Sequence, residues 1–599
     1  MIYHCEDHTC NYWDEGEKLP ERCPQCGRKL LRANEADMTG DDWTALGNTL
    51  WDAEASDKKR MVDCFRKAAY LGSAWGVCNL GICMEQGNGV EADPVQAFWL
   101  YQQAVEMGSL NAVCCLGVCY QYGIGTAPDA KQAAELYCKA AEYGSPRGQM
   151  LLAHAFHDGI GVEADAAEAV YWVRAAAYQR YGEGMHRLGV CYEYGDGVEQ
   201  NWERAVHWFR EAAESGVSAA MADLGYCYET GCGVEQSWEQ AFSWYRRGAE
   251  CGYPVSMSNL GLCYKRGYGV EQNWQEAIKW YEQGAQCGDL QSMHNLACCY
   301  ERGEGVEQNE ERALYWYRRS AEGGNGDAMC NLGRCYERGY GVEQNWQEAV
   351  KWYEQGAQCG HLQSMNNLAC CYEDGEGVEQ NMTEAIRWYT AAAEGGNADA
   401  MHELGWLYDH GEGVEQDMKK AICWYERAAE QNHPAAMNSL GECYAMGWGV
   451  PRDLETAMEW YRRAAELGEA MADYNMGWHL EQAGKLSEAY AHYRKAADGN
   501  DDSAWWALGR FYENGVVVAQ DGKEARRCYE TGEKLGSVKC KMRLARCKLL
   551  GIGGRRAKKA GLDLCRQALE LAKESSEKED YGYEAEMNLL RRTIAENES

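Results

Sequence analysis

Four cysteines near the N-terminus are the residues of this 599-residue chain best suited to chemistry. Cys5 and Cys10 are separated by four residues, and Cys23 and Cys26 follow in a Cys-Pro-Gln-Cys-Gly segment. Such a segment makes a tight turn in which two thiolates converge on a tetrahedral ion, and its backbone N–H groups are free to hydrogen-bond the sulfurs. The sequence therefore predicts one structural Zn²⁺ ion per chain, held by all four thiolates.

Two aspects of this cysteine module stay open. The gap between Cys5 and Cys10 is wider than the usual two residues, so His4 or His8 is an alternative ligand. Iron or a redox-active thiol pair is an alternative to zinc. The module, which we assign to residues 1–36, resembles zinc ribbons and rubredoxin-like knuckles. A closed site with four protein ligands would leave no position for a catalytic water, which favours a structural metal.

A leucine–glycine pair recurs every 36 residues and determines the fold that follows the module. A fixed period between about 20 and 50 residues indicates one supersecondary unit stacked on copies of itself. The pair stands at Leu80-Gly81, Leu116-Gly117, Leu188-Gly189, Leu224-Gly225, Leu260-Gly261, Leu332-Gly333, Leu404-Gly405 and Leu440-Gly441. The repeat predicts an all-α chain, a superhelical α-solenoid of about 15 antiparallel helix pairs with the small zinc ribbon at its N-terminus.

The repeat around Leu224 shows why each unit is a helix pair. Met221, Leu224, Gly225 and Tyr228 lie at i, i+3, i+4 and i+7, which is one face of a helix. A Gly-x-Gly-Val loop then ends this helix, because glycine takes the left-handed C-cap conformation without strain. A second helix follows in which aromatic residues face alanines. We assign residues 37–550 to the solenoid and residues 551–599 to a C-terminal helical cap that is basic at its start.

The pattern A-x-x-L-G-x-x-Y-x-x-G-x-G-V, followed by A-x-x-W-Y-x-x-A-A-E-x-G, is similar to the Sel1-like repeat, a long-looped relative of the tetratricopeptide repeat. The resemblance covers about residues 38 to 570. It implies a solenoid that scaffolds protein complexes. Some secreted, disulfide-rich bacterial members have been linked to β-lactam binding. The cysteine pairing of those members is not evident here, so the resemblance does not carry that activity over.

Composition narrows the possible partners and the compartment. The net charge of −34 repels nucleic acid and anionic membranes and favours basic or neutral proteins, although solubility alone also accounts for a charged surface. Ten of the 30 cysteines stand three residues after the repeat leucine, where they read as small apolar fillers in a reducing compartment. No run reaches the roughly 18 apolar residues of a membrane span, and the first residues lack signal-peptide character. We expect a cytoplasmic protein; its oligomeric state stays open.

An acidic row stands five residues after the repeat leucine, with Lys265 as an exception. It comprises Glu193, Glu229, Glu301, Glu337, Glu373 and Asp409. By the resemblance to tetratricopeptide arrays, the first helix of each pair lines a concave wall and these residues point inward. The row predicts binding of a basic or polar protein segment. The alternative is that these are solvated residues at helix ends of an acidic protein.

No recognisable catalytic motif occurs, so we predict a non-catalytic scaffold or adaptor that binds proteins through the concave face. Two alternatives are a β-lactamase-like hydrolase and a bacterial effector that acts in a host cell by protein binding. Local function is expected where the repeat is broken. One such place is the copy at Met476, which has no Gly-x-Gly-Val loop and stands only 32 residues before Leu508.

Overall fold

The structure is a computed structural model in which two compact units are formed by Met1–Asn309 and Glu310–Ser599. The residues it describes are 2–5, 13–15, 30–33, 35–51, 55–578 and 584–598. Helix pairs dominate both units, which confirms the predicted repeat of paired helices. Each unit is therefore built by stacking copies of one element, as the 36-residue period requires.

The N-terminal segment contains a small antiparallel sheet. Its strands are β1 (Ile2–Cys5), β2 (Trp13–Glu15) and β3 (Leu30–Ala33), and β1 lies between the other two. Ile2 pairs with Glu15 on one side and with Ala33 on the other. Of the four predicted zinc ligands, Cys5 ends β1 and is described only in its backbone, while Cys10, Cys23 and Cys26 lie outside the described residues. The zinc site therefore stays a prediction.

In the first unit a short 3₁₀ helix, Glu35–Asp37, precedes fifteen α-helices within the described residues. They are α1 (Gly40–Thr49), α2 (Ala55–Tyr70), α3 (Ala74–Gln86), α4 (Pro94–Glu106), α5 (Leu110–Tyr122), α6 (Ala130–Glu142), α7 (Pro146–Asp158), α8 (Ala166–Tyr178), α9 (Gly182–Tyr194), α10 (Trp202–Glu214), α11 (Ser218–Thr230), α12 (Trp238–Glu250), α13 (Pro254–Arg266), α14 (Trp274–Gln286) and α15 (Leu290–Arg302).

In the second unit the described residues form sixteen α-helices. They are α16 (Glu310–Glu322), α17 (Gly326–Arg338), α18 (Trp346–Gln358), α19 (Leu362–Asp374), α20 (Met382–Gly395), α21 (Ala398–His410), α22 (Met418–Glu430), α23 (Pro434–Met446), α24 (Leu454–Glu466), α25 (Ala470–Gln482), α26 (Leu486–Asp498), α27 (Asp502–Asn514), α28 (Gly522–Lys534), α29 (Val538–Leu550), α30 (Lys558–Lys578) and α31 (Glu584–Glu598). We call the odd-numbered helices, which carry the repeat leucine, A helices and their even-numbered partners B helices.

The ends of each helix are fixed by the loop sequence. Helix α11 ends at Gly231, whose φ of 77° lies in the left-handed region that glycine adopts without strain. In the same loop the Gln236 side chain donates a hydrogen bond of 2.8 Å to the carbonyl of Glu229, which would otherwise lack a donor at the helix end. Helix α12 then begins after Ser237, whose hydroxyl accepts from the Gln240 N–H. The Gly-x-Gly-Val-x-Gln loop thus caps the end of the A helix, and the residue that follows it caps the start of the B helix.

Contacts between α11 and α12 show that the two helices are antiparallel. Tyr245 in the middle of α12 lies against Gly225 in the middle of α11, where an added Cβ would stand 2.5 Å from the tyrosine ring. Further along α12, Gly248 lies beside Met221, which is earlier in α11. The repeat glycine therefore leaves the room that a tyrosine ring needs to approach the A helix closely.

The second loop glycine has a role that the sequence did not predict. The sequence predicts that both loop glycines serve to end the A helix. Gly233 instead lies against the first turn of α10 in the preceding repeat, where a Cβ would stand 2.4 Å from the carbonyl oxygen of Trp202. Its φ is 72°. Each loop thus joins neighbouring repeats, and the two glycines meet two different requirements.

The ten cysteines that follow the repeat leucine are buried, as expected for apolar fillers. Burial raises the pKa of Cys227 and of Cys263 to about 12, so their thiols stay protonated and unreactive at neutral pH. None of the cysteines whose side chains are described forms a disulfide.

Candidate protein-interaction face

The six residues of the predicted acidic row all lie in the last turn of an A helix and are half-buried. Glu193 and Glu229 occupy consecutive repeats of the first unit, and Glu301 follows after the repeat that carries Lys265. In the second unit Glu337, Glu373 and Asp409 occupy three consecutive repeats. Within each unit these carboxylates therefore occupy the same position of successive A helices.

Several of these carboxylates are held by a buried tyrosine of the B helix in the same repeat. Tyr353 donates a hydrogen bond of 2.6 Å from its hydroxyl to Glu337. The same bond measures 2.6 Å at Glu229 and Glu373 and 3.4 Å at Asp409. Burial and the neighbouring carboxylate raise the pKa of the Tyr353 phenol, so it remains a donor. We call this arrangement, an A-helix carboxylate bound by the B-helix tyrosine sixteen residues later, the tyrosine–carboxylate lock.

Exceptions in the row show what the lock requires. At one position of the row Lys265 replaces the carboxylate, and its ammonium group forms an ion pair of 3.1 Å with Glu304. The hydroxyl of Tyr281, the tyrosine of that repeat, is buried without a hydrogen-bond partner among the described side chains. In another repeat Gln121 accepts from Tyr137 at 2.7 Å, so a neutral amide oxygen serves as well as a carboxylate. A neutral acceptor therefore pairs with the tyrosine hydroxyl as a carboxylate does, and the hydroxyl stays unpaired where the row carries lysine.

The negative charge of the row is nevertheless concentrated. Burial raises the pKa of Glu373, and the neighbouring carboxylates Glu403, Asp374 and Glu412 raise it further. Burial likewise raises the pKa of Glu193, with a second contribution from Asp223. Like charges held together in a partly desolvated setting favour a positively charged ligand, because the ligand relieves their repulsion.

Exposed tyrosines lie beside the acidic row in the first unit. Tyr194 adjoins Glu193 and is 73% exposed, and Tyr226 in the next A helix is 47% exposed. The negative charges of Glu193 and Asp223 raise the pKa of the Tyr194 phenol, which places these groups in one cluster. Tyrosine and carboxylate together suit Lys and Arg side chains, through ion pairs and through contact with the aromatic face. Glu193 was predicted from the sequence, whereas the exposed Tyr194 and Tyr226 were not.

The described residues were also compared with the requirements of a metal site and of a membrane-spanning helix. Among the side chains that the structure describes, no three His, Cys, Asp or Glu residues converge as metal ligands. Of the helices described, none combines the length and apolar character that crossing a membrane requires.

Comparison with known proteins identifies the repeat. The Sel1 repeat family matches thirteen consecutive segments, from residues 76–109 to residues 504–537. A protective antigen of uropathogenic Escherichia coli strains that displays an SLR fold is 32% identical; the match covers 75% of this chain and 97% of that one, with a TM-score of 0.50.

A Sel1 repeat protein from Oxalobacter formigenes is also 32% identical, over 41% of this chain and 96% of its own, with a TM-score of 0.37. No curated protein sequence matches. The family segments extend over most of the described helices and share their period. This chain belongs to the Sel1 repeat family.

Proposed function

We propose that this protein is a non-catalytic scaffold that binds protein partners, and that a basic segment of the partner lies on the A-helix face. The observation that carries the proposal is the acidic row itself: half-buried carboxylates, one per repeat, several of them held by the tyrosine–carboxylate lock. Sel1 repeat arrays typically mediate contacts between proteins, which supports the same conclusion.

Two physical properties of the row favour binding. The lock fixes the side-chain conformation of Glu229, Glu337 and Glu373 before a partner arrives, so less conformational entropy is lost on association. The raised pKa values of Glu193 and Glu373 reflect an unfavourable environment for their charges, which a Lys or Arg of the partner would improve. The preference for a basic segment follows from both, and the net charge of −34 adds long-range attraction.

The test uses substitutions that remove charge and keep the lock. Replacement of Glu337 and Glu373 by Gln leaves an acceptor for the tyrosine hydroxyl, as Gln121 does. Replacement by Lys would resemble Lys265 and leave the tyrosine hydroxyl unpaired. A weaker affinity of a Lys variant could then result from lower stability as well as from the lost charge. A matched control replaces Glu282 and Glu426, exposed residues of B helices, by Gln.

A partner is first captured from the native organism with the intact chain and identified by mass spectrometry. Its affinity is then measured by calorimetry at two salt concentrations. We expect the Glu337→Gln, Glu373→Gln double variant to bind about tenfold more weakly with a smaller salt dependence, and the B-helix control to bind as the parent does. Equal loss in both double variants, or binding insensitive to salt, would contradict the proposal.

The absence of catalysis is part of the proposal and is tested separately. A chromogenic β-lactam is incubated with the intact chain. We expect no turnover above that of a chain-free sample. Turnover that is lost on a single substitution would contradict the scaffold proposal and show that the protein is a hydrolase.

We further propose that Cys5, Cys10, Cys23 and Cys26 hold a structural zinc ion. The four thiolates have the softness and number that a closed tetrahedral zinc site requires. Elemental analysis is expected to find one zinc per chain and to find none after Cys23→Ser combined with Cys26→Ser. Metal retained by the double variant would refute the assignment. The free thiols elsewhere favour the cytoplasm or another reducing compartment.

A further inference from the structure

Two cysteines of consecutive A helices contact each other in the first unit. Cys78 of α3 and Cys115 of α5 are joined by a hydrogen bond between their thiols. They are 1% and 5% exposed. The ten cysteines that fill the repeat core follow the repeat leucine, whereas these two precede Leu80 and Leu116. The pair is therefore a separate cluster of nucleophilic side chains.

The geometry of the solenoid brings these two positions together. One is the residue two before the repeat leucine, and the other is the residue directly before the leucine, or methionine, of the next repeat. Side chains at these positions form hydrogen bonds of 2.6 Å between His186 and Asp223, 3.4 Å between Ser258 and Asn295, and 3.0 Å between Asn438 and Asn475. At Cys78 and Cys115 both members of the pair are thiols, which can react with each other.

Two polar side chains bind the sulfurs. Arg147 of α7 donates from Nη1 to the Cys115 sulfur at 3.6 Å and to the amide oxygen of Asn111 at 2.7 Å. Asn111 in turn donates from Nδ2 to the Cys78 sulfur at 3.6 Å. The four side chains thus form a closed ring of hydrogen bonds. Because Arg147 is exposed, the thiols lie one side chain below the solvent, and a molecule as small as hydrogen peroxide reaches them when that side chain moves.

The surroundings make the two thiols unequal. The hydrogen bond from Cys78 and the positive charge of Arg147 lower the pKa of Cys115, although burial opposes them. Glu85 also opposes them, and its carboxylate accepts a hydrogen bond of 2.6 Å from Tyr101. The bond to Cys115 and burial raise the pKa of Cys78. Cys115 is therefore the thiol that ionises to the reactive thiolate, and Cys78 stays protonated beside it.

We propose that Cys78 and Cys115 are a redox-active thiol pair, which hydrogen peroxide converts into a disulfide bond between consecutive repeats. The Cys115 thiolate attacks one oxygen of the peroxide and the O–O bond breaks, which leaves a sulfenic acid on Cys115 and a hydroxide that takes a proton from solvent. The Cys78 sulfur then attacks the Cys115 sulfur, and the S–O bond breaks. The hydroxide that leaves takes the Cys78 proton, so two thiols are oxidised and one peroxide is reduced to two water molecules.

The product joins the A helices of two consecutive repeats, α3 and α5. Thiols that already contact each other need only a small movement to reach the S–S bond length of about 2.05 Å. A dithiol reductant reverses the reaction by thiol–disulfide exchange. The pair is thus a site of reversible covalent modification that responds to peroxide.

The test treats the intact chain with hydrogen peroxide, blocks the remaining thiols with N-ethylmaleimide in denaturant, and maps disulfides by mass spectrometry without reduction. A glutamyl endopeptidase that cleaves after Glu85 and Glu106 places the two cysteines in different peptides. We expect a linked peptide pair that joins Cys78 to Cys115 and that a dithiol reductant separates.

Neighbouring and equivalent thiols supply the controls. Cys114 adjoins Cys115 in the chain and is also buried. Cys115→Ser is expected to abolish the link to Cys78, and Cys114→Ser is expected to retain it. Cys330 occupies the position of Cys78 in another repeat and contacts Asn367 at 3.5 Å in place of a thiol. It is expected to be recovered with N-ethylmaleimide attached.

The rate of the reaction tests the role of Arg147. Arg147→Gln is expected to slow formation of the link about tenfold, because fewer Cys115 thiols are ionised. Arg147→Lys keeps a positive charge and is expected to react faster than the Gln variant. The inference is overturned if the folded chain forms no link between Cys78 and Cys115, if Cys114→Ser loses the link as Cys115→Ser does, or if Arg147→Gln reacts as fast as the parent. Because Arg147 is exposed, its variants decide the matter even if a cysteine variant fails to fold.

Discussion

The tyrosine–carboxylate lock predicts opposite outcomes for one substitution at two nearly identical places. Helices α14 and α18 differ only at Ile278 and Val350, and each carries a fully buried tyrosine, Tyr281 or Tyr353. Tyr353 donates a hydrogen bond of 2.6 Å to Glu337. The Tyr281 hydroxyl has no hydrogen-bond partner among the described side chains, because its repeat carries Lys265 in place of a carboxylate. Replacement by Phe therefore removes a bond in one repeat and an unsatisfied group in the other.

A hydrogen bond to a charged group contributes about 1.5–3 kcal/mol to stability. Tyr353→Phe is expected to lower the free energy of local unfolding by that amount. Tyr281→Phe removes a buried hydroxyl with no bond to lose, so we expect no change or a gain of up to about 1 kcal/mol. The shape of the ring is retained in both variants, so packing against the repeat glycine is preserved.

Hydrogen–deuterium exchange with mass spectrometry measures this difference repeat by repeat in the intact chain, where a single global unfolding transition is not expected. Peptides from residues 346–358 of the Tyr353→Phe chain are expected to exchange about ten- to hundredfold faster than in the parent. Peptides from residues 274–286 of the Tyr281→Phe chain are expected to exchange at the parent rate or more slowly. Equal effects in the two variants would refute the lock as a source of stability.

Three other predictions follow from named contacts. Gly233→Ala introduces a Cβ 2.4 Å from the Trp202 carbonyl, whereas Gly252→Ala meets nothing within 4 Å at a similar φ. Hydrogen–deuterium exchange around each site should show the first to be more destabilising by at least about 1 kcal/mol. Burial raises the pKa of Asp501 to about 6, so stability falls as pH rises from 4 through 6; Asp501→Asn should be about 1–3 kcal/mol more stable at pH 7 and equal below pH 4. Because a basic partner requires an ionised Glu373, whose pKa is raised, partner affinity measured by calorimetry should decrease as pH falls from 7 to 5.

Much of the fold was predictable because the repeat leaves little freedom. Leu224 and Gly225 at helical spacing, together with loop glycines, specify a helix pair, and thirteen matching segments bear this out. The constant interval of sixteen residues between Glu229 and Tyr245 was also visible in the sequence. The role of this interval depends on the close packing of the tyrosine ring against Gly225, which brings the hydroxyl to the carboxylate at the helix end. Such a contact follows from three-dimensional packing and not from periodicity.

The irregular repeat shows a second limit of sequence reasoning. The missing loop after Met476 and the loss of tryptophan at Cys528 can both be read from the sequence. Tyr490 and Tyr512 share a hydrogen bond of 3.0 Å, and the period of the repeat does not predict this pair. Which of several polar side chains form a pair depends on distances of a few tenths of an ångström, and one sequence does not contain them.

The direct test of the scaffold account is a site-specific photocrosslinking measurement. A benzophenone amino acid replaces Tyr194 on an A helix or Tyr171 on a B helix; these residues are 73% and 60% exposed, so both probes are accessible. The captured partner is added, the sample is irradiated, and crosslinked peptides are identified by mass spectrometry. If the partner lies on the A-helix face, crosslinks form from position 194 to a Lys- or Arg-rich segment of the partner, and none form from position 171. Crosslinks from position 171 alone would contradict binding on the A-helix face.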